Sequence, residues 1–86
     1  MSETEQQLSD RKLTYQARRG LKELDYFIDP YMRRQFATAS VAEKQVLAEL
    51  LTYEDPDLLD WFMQMTPAPN QPIEDLIDKM RRSVHG

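Results

Sequence analysis

The chain has 86 residues, a formal net charge of −4 and no cysteine. A chain of this length forms one domain with a thin hydrophobic core, and without cysteine it forms neither disulfides nor thiolate metal sites. Residues 35–78 carry one basic residue, Lys44, against nine acids, which disfavours nucleic acid as a partner because phosphate affinity comes from clustered Lys and Arg.

The first two predicted helices flank Gly20. The first is predicted over residues 9–18, and the second starts near Gly20 or Leu21 and fades near Phe36. Pro30 lies inside the second pattern and lacks an N–H, so we expect this helix to kink or restart there. The apolar residues of the second helix share one helical face, and they are Leu21, Leu24, Ile28 and Tyr31.

Three further helices carry start signals. Ser40 and Glu43 predict a capping box, in which the Ser40 hydroxyl serves the Glu43 amide and the Glu43 side chain reaches back. Asp55 is the predicted N-cap of the fourth helix, with Pro56 after it, and the fifth follows a loop over residues 66–72 that carries three prolines. The residues predicted to face the core are Val46, Leu47, Leu50 and Leu51, then Leu58, Leu59, Phe62 and Met65, then Ile73, Leu76, Ile77, Met80 and Val84.

These patterns predict an all-α protein, a compact bundle of five short helices that forms a single domain over residues 1–86. Residues 1–8 and 84–86 are expected to be mobile ends. The N-terminus is acidic and polar, and no apolar stretch approaches the roughly 20 residues of a membrane span, so we expect neither a secretory leader nor membrane insertion. The cytoplasm is the expected location.

Catalysis is the function class that the sequence favours least. The single histidine, His85, lies next to the chain end, where side chains are rarely held for acid–base work, and two glycines, Gly20 and Gly86, cannot build a phosphate-binding loop. The acids of residues 54–60 lack the glycine of a calcium loop, and a helix start accounts for them. We therefore expect no catalytic residue and no metal. Trp61 is expected to complete the core, with a partner-facing patch as the alternative.

Local stability does not explain the segment formed by residues 18–25. On a continuous helix, Arg19 and Glu23 would form an i,i+4 pair worth about 0.3–0.5 kcal/mol, which is less than the roughly 1 kcal/mol that Gly20 costs in a helix interior. Two interpretations stay open. Either Gly20 is a helix C-cap or bend beside solvated charges, or it lets another backbone approach while Arg19 and Glu23 present paired hydrogen-bonding groups.

Two stretches of the sequence resemble one protein family. Residues 19–23, Arg-Gly-Leu-Lys-Glu, match an Arg-Gly-x-x-Glu motif, and residues 54–61, Glu-Asp-Pro-Asp-Leu-Leu-Asp-Trp, are similar to an Asp-Asp-Pro-Asp-Leu-x-x-Trp segment. On these residues the chain resembles the small bacterial flavinylation factors of succinate dehydrogenase, also called the succinate dehydrogenase assembly factor 2 family, over residues 12–77. Tyr15 departs mildly from the family, in which Trp is usual. The neighbours that also agree with the family are Arg18, Leu24, Asp25, Pro30 and Tyr31.

The resemblance implies a five-helix bundle that binds the flavoprotein subunit of succinate dehydrogenase, and in some bacteria that of fumarate reductase. It implies an assembly chaperone and not an enzyme, because the covalent bond between FAD and a histidine forms on the flavoprotein. FAD is then the partner's cofactor, and no tightly bound cofactor is expected on this chain. The residues that the resemblance carries over as partner contacts are Arg19, Gly20 and Glu23, with Arg18, Asp25, Lys12 and Tyr15 as their neighbours.

An independent alternative is a small helical regulatory module that binds another protein, such as a toxin-neutralising or transcription-modulating protein. The two hypotheses differ in the partner that they require. In either case we expect the free chain to be a monomer.

Overall fold

The computed structural model describes residues 4–85 and contains five α-helices and no strand in that range. The helices are α1 (Glu5–Gln16), α2 (Lys22–Arg34), α3 (Val41–Leu50), α4 (Asp55–Phe62) and α5 (Gln71–Ser83), with a short 3-10 helix at Phe36–Thr38. The prediction of an all-α protein with five helices is confirmed. α5 packs against α2, α3 and α4, so the bundle closes around its last helix.

α1 begins at Glu5, earlier than the predicted start at Ser9. Its N-cap is Thr4, whose hydroxyl accepts a hydrogen bond from the Gln7 amide at 3.1 Å while Gln7 Oε1 accepts one from the Thr4 amide at 2.9 Å. This reciprocal pair is a capping box. Apolar periodicity does not indicate this helix start, because the first turn of α1 has almost no apolar residues.

The mobility expected for residues 1–8 and 84–86 stays a prediction. Residues 1–3 and 86 lie outside the described residues. Of the remainder, residues 5–8 form the first turn of α1, and Val84 is half-buried beyond the end of α5.

α2 runs unbroken through Pro30, so the restart considered for this position does not occur. Pro30 removes the amide that would serve the carbonyl of Tyr26, and solvent can take its place because Tyr26 is exposed. Of the predicted buried face, Leu24, Ile28 and Tyr31 are fully buried, whereas Leu21 is half-buried and is the N-cap that precedes the helix.

The capping box predicted at the start of α3 is half right. Ser40 Oγ accepts a hydrogen bond from the Glu43 amide at 3.0 Å, but the Glu43 side chain does not reach back. Its carboxylate instead accepts hydrogen bonds from Tyr31 Oη at 2.6 Å and from Lys79 Nζ at 2.9 Å. This polar cluster joins α2, α3 and α5. The Glu43 carboxylate makes these tertiary hydrogen bonds instead of capping its own helix, and it is the one acceptor described for the Tyr31 hydroxyl.

The cluster changes the ionisation of its members. Burial raises the pKa of Tyr31, and the neighbouring Glu43 carboxylate raises it further. Burial alone would raise the pKa of Glu43, but the hydrogen bonds from Tyr31 and Lys79 outweigh it and hold that pKa below its ordinary value. Glu43 therefore stays ionised at neutral pH.

The prediction for the start of α4 is wrong by one residue. Glu54 is the N-cap, without a side-chain hydrogen bond, and Asp55 is the first helical residue. The carboxylate of Asp55 is used by a tertiary contact, described below. The apolar face is also shorter than predicted, because Met65 lies beyond the helix end and its side chain is exposed.

α5 begins at Gln71, where Asn70 accepts a hydrogen bond from the Ile73 amide at 3.0 Å. Its predicted apolar face is buried up to Met80, and Val84 is half-buried. The buried apolar side chains of the whole bundle are Leu13, Ala17, Leu24, Ile28, Tyr31, Phe36, Leu47, Leu50, Leu51, Leu58, Phe62, Ile73, Leu76, Ile77 and Met80.

α1 is the helix with the smallest share in this core. It buries Leu13, and Ala17 is buried just after its end. A polar contact adds to these, because the buried Lys44 of α3 places Nζ 2.9 Å from Asp10 Oδ2 and 4.9 Å from the Phe36 ring centroid. The hydrogen bond from Lys44 lowers the pKa of Asp10. This ion pair fixes the direction of α1 and so the position of its exposed side chains.

Candidate functional site

The connection between α1 and α2 bends at Gly20. Its φ of 75° lies in the left-handed region, which side chains with a Cβ adopt only at a cost of about 1–2 kcal/mol. A Cβ placed on Gly20 would meet nothing within 4 Å. The bend is therefore the reason for glycine in the free chain, and the surface above Gly20 is open to a partner.

Arg19, beside this bend, is anchored to the junction between α3 and α4. Its Nη2 donates hydrogen bonds to the Leu51 carbonyl at 3.0 Å and to the Tyr53 carbonyl at 2.7 Å. Its Nε lies 3.4 Å from Asp55 Oδ1, which is an ion pair without hydrogen-bond geometry. The Arg19 side chain is 18% exposed. Its hydrogen bonds satisfy carbonyls at the C-terminal end of α3, where no following helical turn supplies N–H donors.

The i,i+4 pair of Arg19 and Glu23 that a continuous helix would allow does not form. That pairing requires a continuous helix, and the bend at Gly20 removes the i,i+4 register. Glu23 lies in the first turn of α2 and is exposed. The Arg19 contacts have a further consequence, because they bring Arg19 against residues 51–55, whose last two residues begin the second stretch on which the resemblance rests, residues 54–61.

Asp25 adds an acceptor without a donor to this segment. Its Oδ1 is buried and has no hydrogen-bond partner within the protein, and among residues 4–85 the other buried side-chain atom in this state is Arg19 Nε. A buried polar atom without a hydrogen bond typically costs about 1–3 kcal/mol. Because Oδ1 is buried, it is not accessible to a donor of a partner while the Asp25 side chain keeps this position.

The remaining predicted contact residues are all exposed, but they are not joined into one cluster. Arg18 lies in the bend, and Lys12 and Tyr15 lie one turn apart on α1. Tyr15 is 82% exposed, so its ring is accessible to a partner. In the described part of the chain, no hydrogen bond or ion pair links these side chains to Glu23.

Tyr53 was not among the predicted site residues, but it lies beside Arg19 at the junction between α3 and α4. Its carbonyl accepts from Arg19, and its ring meets Trp61 edge-on with centroids 4.8 Å apart. Both rings are half-buried and pack against the core, so the core role predicted for Trp61 is confirmed in part. In the sequence, the position of Tyr53 directly before residues 54–61 was the signal that could have indicated its place in this region.

Comparison with known proteins identifies the family. Residues 11–84 match the model of the family described as "Flavinator of succinate dehydrogenase". The chain belongs to this family. The resemblance read from residues 19–23 and 54–61 is thereby confirmed, over a slightly longer part of the chain than residues 12–77.

Relatives of this flavinator family cover nearly the whole chain. A protein of Acinetobacter baylyi is 50% identical over 79 residues, which are 92% of this chain and 93% of the relative. A protein of Psychrobacter arcticus is 43% identical over 75 residues, 87% and 81% of the two chains, and one of Haemophilus ducreyi is 38% identical over 78 residues, 91% and 95%. Each of the three is named FAD assembly factor SdhE.

The described residues of this family member contain neither a cluster of metal ligands nor a helix that could span a membrane. Within residues 4–85, no group of three or more His, Cys, Asp or Glu side chains is placed to hold a metal ion. In the same range, no helix has both the length and the apolar character needed to cross a bilayer. Of the acids of residues 54–60, Asp55 and Asp57 lie in the first turn of α4, where the helix dipole favours them, and Asp60 lies near the end of that helix.

Proposed function

We propose that this chain is an assembly factor that binds the flavoprotein subunit of succinate dehydrogenase and promotes covalent attachment of FAD to it. The observation that carries the proposal is the Arg19 junction. It braces the Gly20 bend against the end of α3, and it leaves Gly20 and Glu23 on an open, rigid surface. A rigid surface can hold the flavoprotein in a productive arrangement at little entropic cost.

The proposed partner contacts fall into two groups. Gly20, Glu23 and Asp25 form the central part, in which Gly20 and Glu23 are exposed and Asp25 is half-buried. The flanking contacts are Arg18, Lys12 and Tyr15. Arg19 was expected to be a contact as well, but its hydrogen bonds point into the protein, so we assign it a positioning role.

In this proposal the covalent flavin bond forms on the flavoprotein, and this chain supplies orientation. FAD enters as the cofactor of the partner. The residues of this chain do not fit a resident FAD, because a tightly held dinucleotide needs a glycine-rich phosphate loop at a helix start, and the segment before α2 has Gly20 as its single glycine. The flavoprotein of fumarate reductase is a second candidate partner, and the free chain is proposed to be a cytoplasmic monomer.

Co-expression with the flavoprotein tests this function. Covalent flavin is scored by the fluorescence of the denatured flavoprotein subunit, with and without this chain. We expect flavin attachment to increase with the wild-type chain. If flavin attachment is the same with and without it, for both candidate flavoproteins, the proposed function is wrong.

Substitution of Glu23 tests the site. Glu23→Gln removes one charge from an exposed side chain, so it should leave the melting temperature almost unchanged while flavin attachment falls. A matched control is Glu74→Gln, which changes an exposed acid in the first turn of α5 and should leave attachment unchanged. Equal attachment with both variants would exclude Glu23 as a contact.

A further inference from the structure

A second surface lies where α2 faces the end of α5. Two depressions with volumes of about 530 and 290 Å³ meet at Tyr26 and Val84. One follows α2 from Lys22 to Arg33, and the other continues past Val84 to Arg82. We call this surface the α2–α5 groove.

An exposed aromatic ring lies at the middle of the α2–α5 groove. Tyr26 is 57% exposed and meets Phe27 edge-on, with centroids 5.2 Å apart. Phe27 in turn stacks on the buried Phe62 at 4.8 Å. The Tyr26 ring is therefore supported by Phe27 and, through it, by the core. Its side chain loses little conformational entropy when a partner covers it.

The groove is the basic part of an acidic chain. Five of the eleven Lys and Arg residues line it, against three acids, whereas the chain as a whole has a net charge of −4. Of the acids, Asp78 already lies 3.9 Å from Arg81. The five basic residues are Lys22, Arg33, Arg34, Arg81 and Arg82.

Four of these cations have no ionic partner in the described part of the chain: Lys22, Arg33, Arg34 and Arg82. Of the four, Arg34 donates a hydrogen bond to the Ser83 carbonyl at 2.6 Å. Arg33 and Arg82 lie in the last turns of their helices, where the helix dipole favours them. Lys22 is the first residue of α2, where the dipole disfavours a cation. Local helix stability therefore does not account for Lys22, and a ligand charge would.

The groove is continuous with the segment already proposed to contact the flavoprotein. Lys22 and Asp25 belong to residues 18–25 and also line the groove. Because Lys22 and Arg33 are eleven residues apart on one helix, their Cα atoms are separated by about 16 Å along the axis. An extended chain, at about 3.3 Å per residue, spans that distance in about five residues.

We propose that the α2–α5 groove binds an acidic, extended segment of the flavoprotein, in which two carboxylates about five residues apart pair with Lys22 and Arg33. Between them, Tyr26 packs against the backbone of the segment. This inference rests on the proposed function, and it assigns to that function a second contact that the motif residues do not provide.

A charge variant tests the groove. Lys22→Gln with Arg33→Gln should weaken the affinity for the flavoprotein about five- to tenfold, and the loss should shrink as salt rises from about 0.05 to 0.5 M. The control is Ala37→Glu with Ala42→Glu, which gives the same net charge through exposed residues outside both depressions. Circular dichroism checks that both double variants are folded.

A coupling experiment tests the chemistry of the occupant. A carbodiimide joins an amine to a carboxylate in direct contact, so in the complex Lys22 should couple to an Asp or Glu of an acidic flavoprotein segment. Lys22→Arg keeps the charge but has no amine, so it should still bind while losing that product.

The inference is overturned if the groove variant binds like the control, or if Lys22 couples to no flavoprotein carboxylate in a complex that forms normally. Both results require that the wild-type chain binds the flavoprotein. If the wild-type chain neither binds it nor raises flavin attachment, the proposed function itself fails, so the two failures are distinguished.

Discussion

Replacement of Arg19 by alanine should destabilise the protein substantially. The change removes the two hydrogen bonds to the Leu51 and Tyr53 carbonyls, and hydrogen bonds from a charged donor contribute about 1.5–3 kcal/mol each. Because the side chain is 18% exposed, water can partly replace it. We therefore take the lower end of that range for each bond and expect a loss of about 3 kcal/mol.

The assay is equilibrium unfolding in urea, supported by thermal melting. A loss of about 3 kcal/mol lowers the melting temperature of a domain of this size by about 12–24 °C, with an unchanged urea m-value. Arg19→Lys keeps the charge but loses the forked geometry, so it should cost about half as much. Asp55→Ala should cost at most about 1 kcal/mol, because its contact is a 3.4 Å ion pair and its side chain is 41% exposed.

The order of these losses carries the reasoning. A loss below about 0.5 kcal/mol for Arg19→Ala would place it among ordinary surface changes and refute the structural role. A loss for Asp55→Ala equal to that for Arg19→Ala would show that the ion pair matters and the carbonyl contacts do not. As a positioning residue, Arg19 also predicts that flavin attachment by Arg19→Ala recovers at a temperature where the variant is folded, whereas that of Glu23→Gln does not.

Three further predictions concern the bend and the polar cluster. Gly20→Ala should lower the free energy of unfolding by about 1–2 kcal/mol, because residue 20 has a left-handed φ. Asparagine adopts that φ more readily, so Gly20→Asn should melt close to wild type and still fail in flavin attachment. Full attachment by Gly20→Asn would mean that Gly20 serves the bend alone. The folded-state pKa of Glu43 lies below its ordinary value of 4.5, so the stability that the ionised carboxylate contributes is complete above pH 4.5 and is lost as the pH falls through the folded-state pKa. Urea unfolding across acidic pH should show this loss of stability. In Glu43→Gln the loss of stability with falling pH should be smaller. Tyr31→Phe keeps the buried ring and leaves Glu43 bonded to Lys79. Because the lost hydrogen bond is made to an ionised carboxylate, the change should cost about 1.5–3 kcal/mol in the same assay, and a loss below about 0.5 kcal/mol would contradict this account.

The places where the sequence misled have a common cause. Glu43 was expected to cap its own helix, but its carboxylate accepts from Tyr31 and Lys79. Asp55 was expected to be an N-cap, but it faces Arg19. In each case a short polar side chain had a local partner that the sequence made visible and a tertiary partner that it did not. For Glu43 the tertiary partners prevail because charge-assisted and desolvated hydrogen bonds are the stronger ones. For Asp55 the helix begins one residue earlier than predicted, which leaves its carboxylate for the ion pair with Arg19.

The sequence by itself determined the five helices, the buried faces of α2 and α5, and the motif that led to the family. These depend on residues within one or two turns of each other, since apolar spacing, proline, glycine and capping act at that range. Only the tertiary structure decided what Arg19 does, because its acceptors lie 32 and 34 residues away and the bend at Gly20 removes the local pair with Glu23. Packing also made the α2–α5 groove, since it needs the end of α5 beside the middle of α2, and no spacing within either helix encodes that juxtaposition.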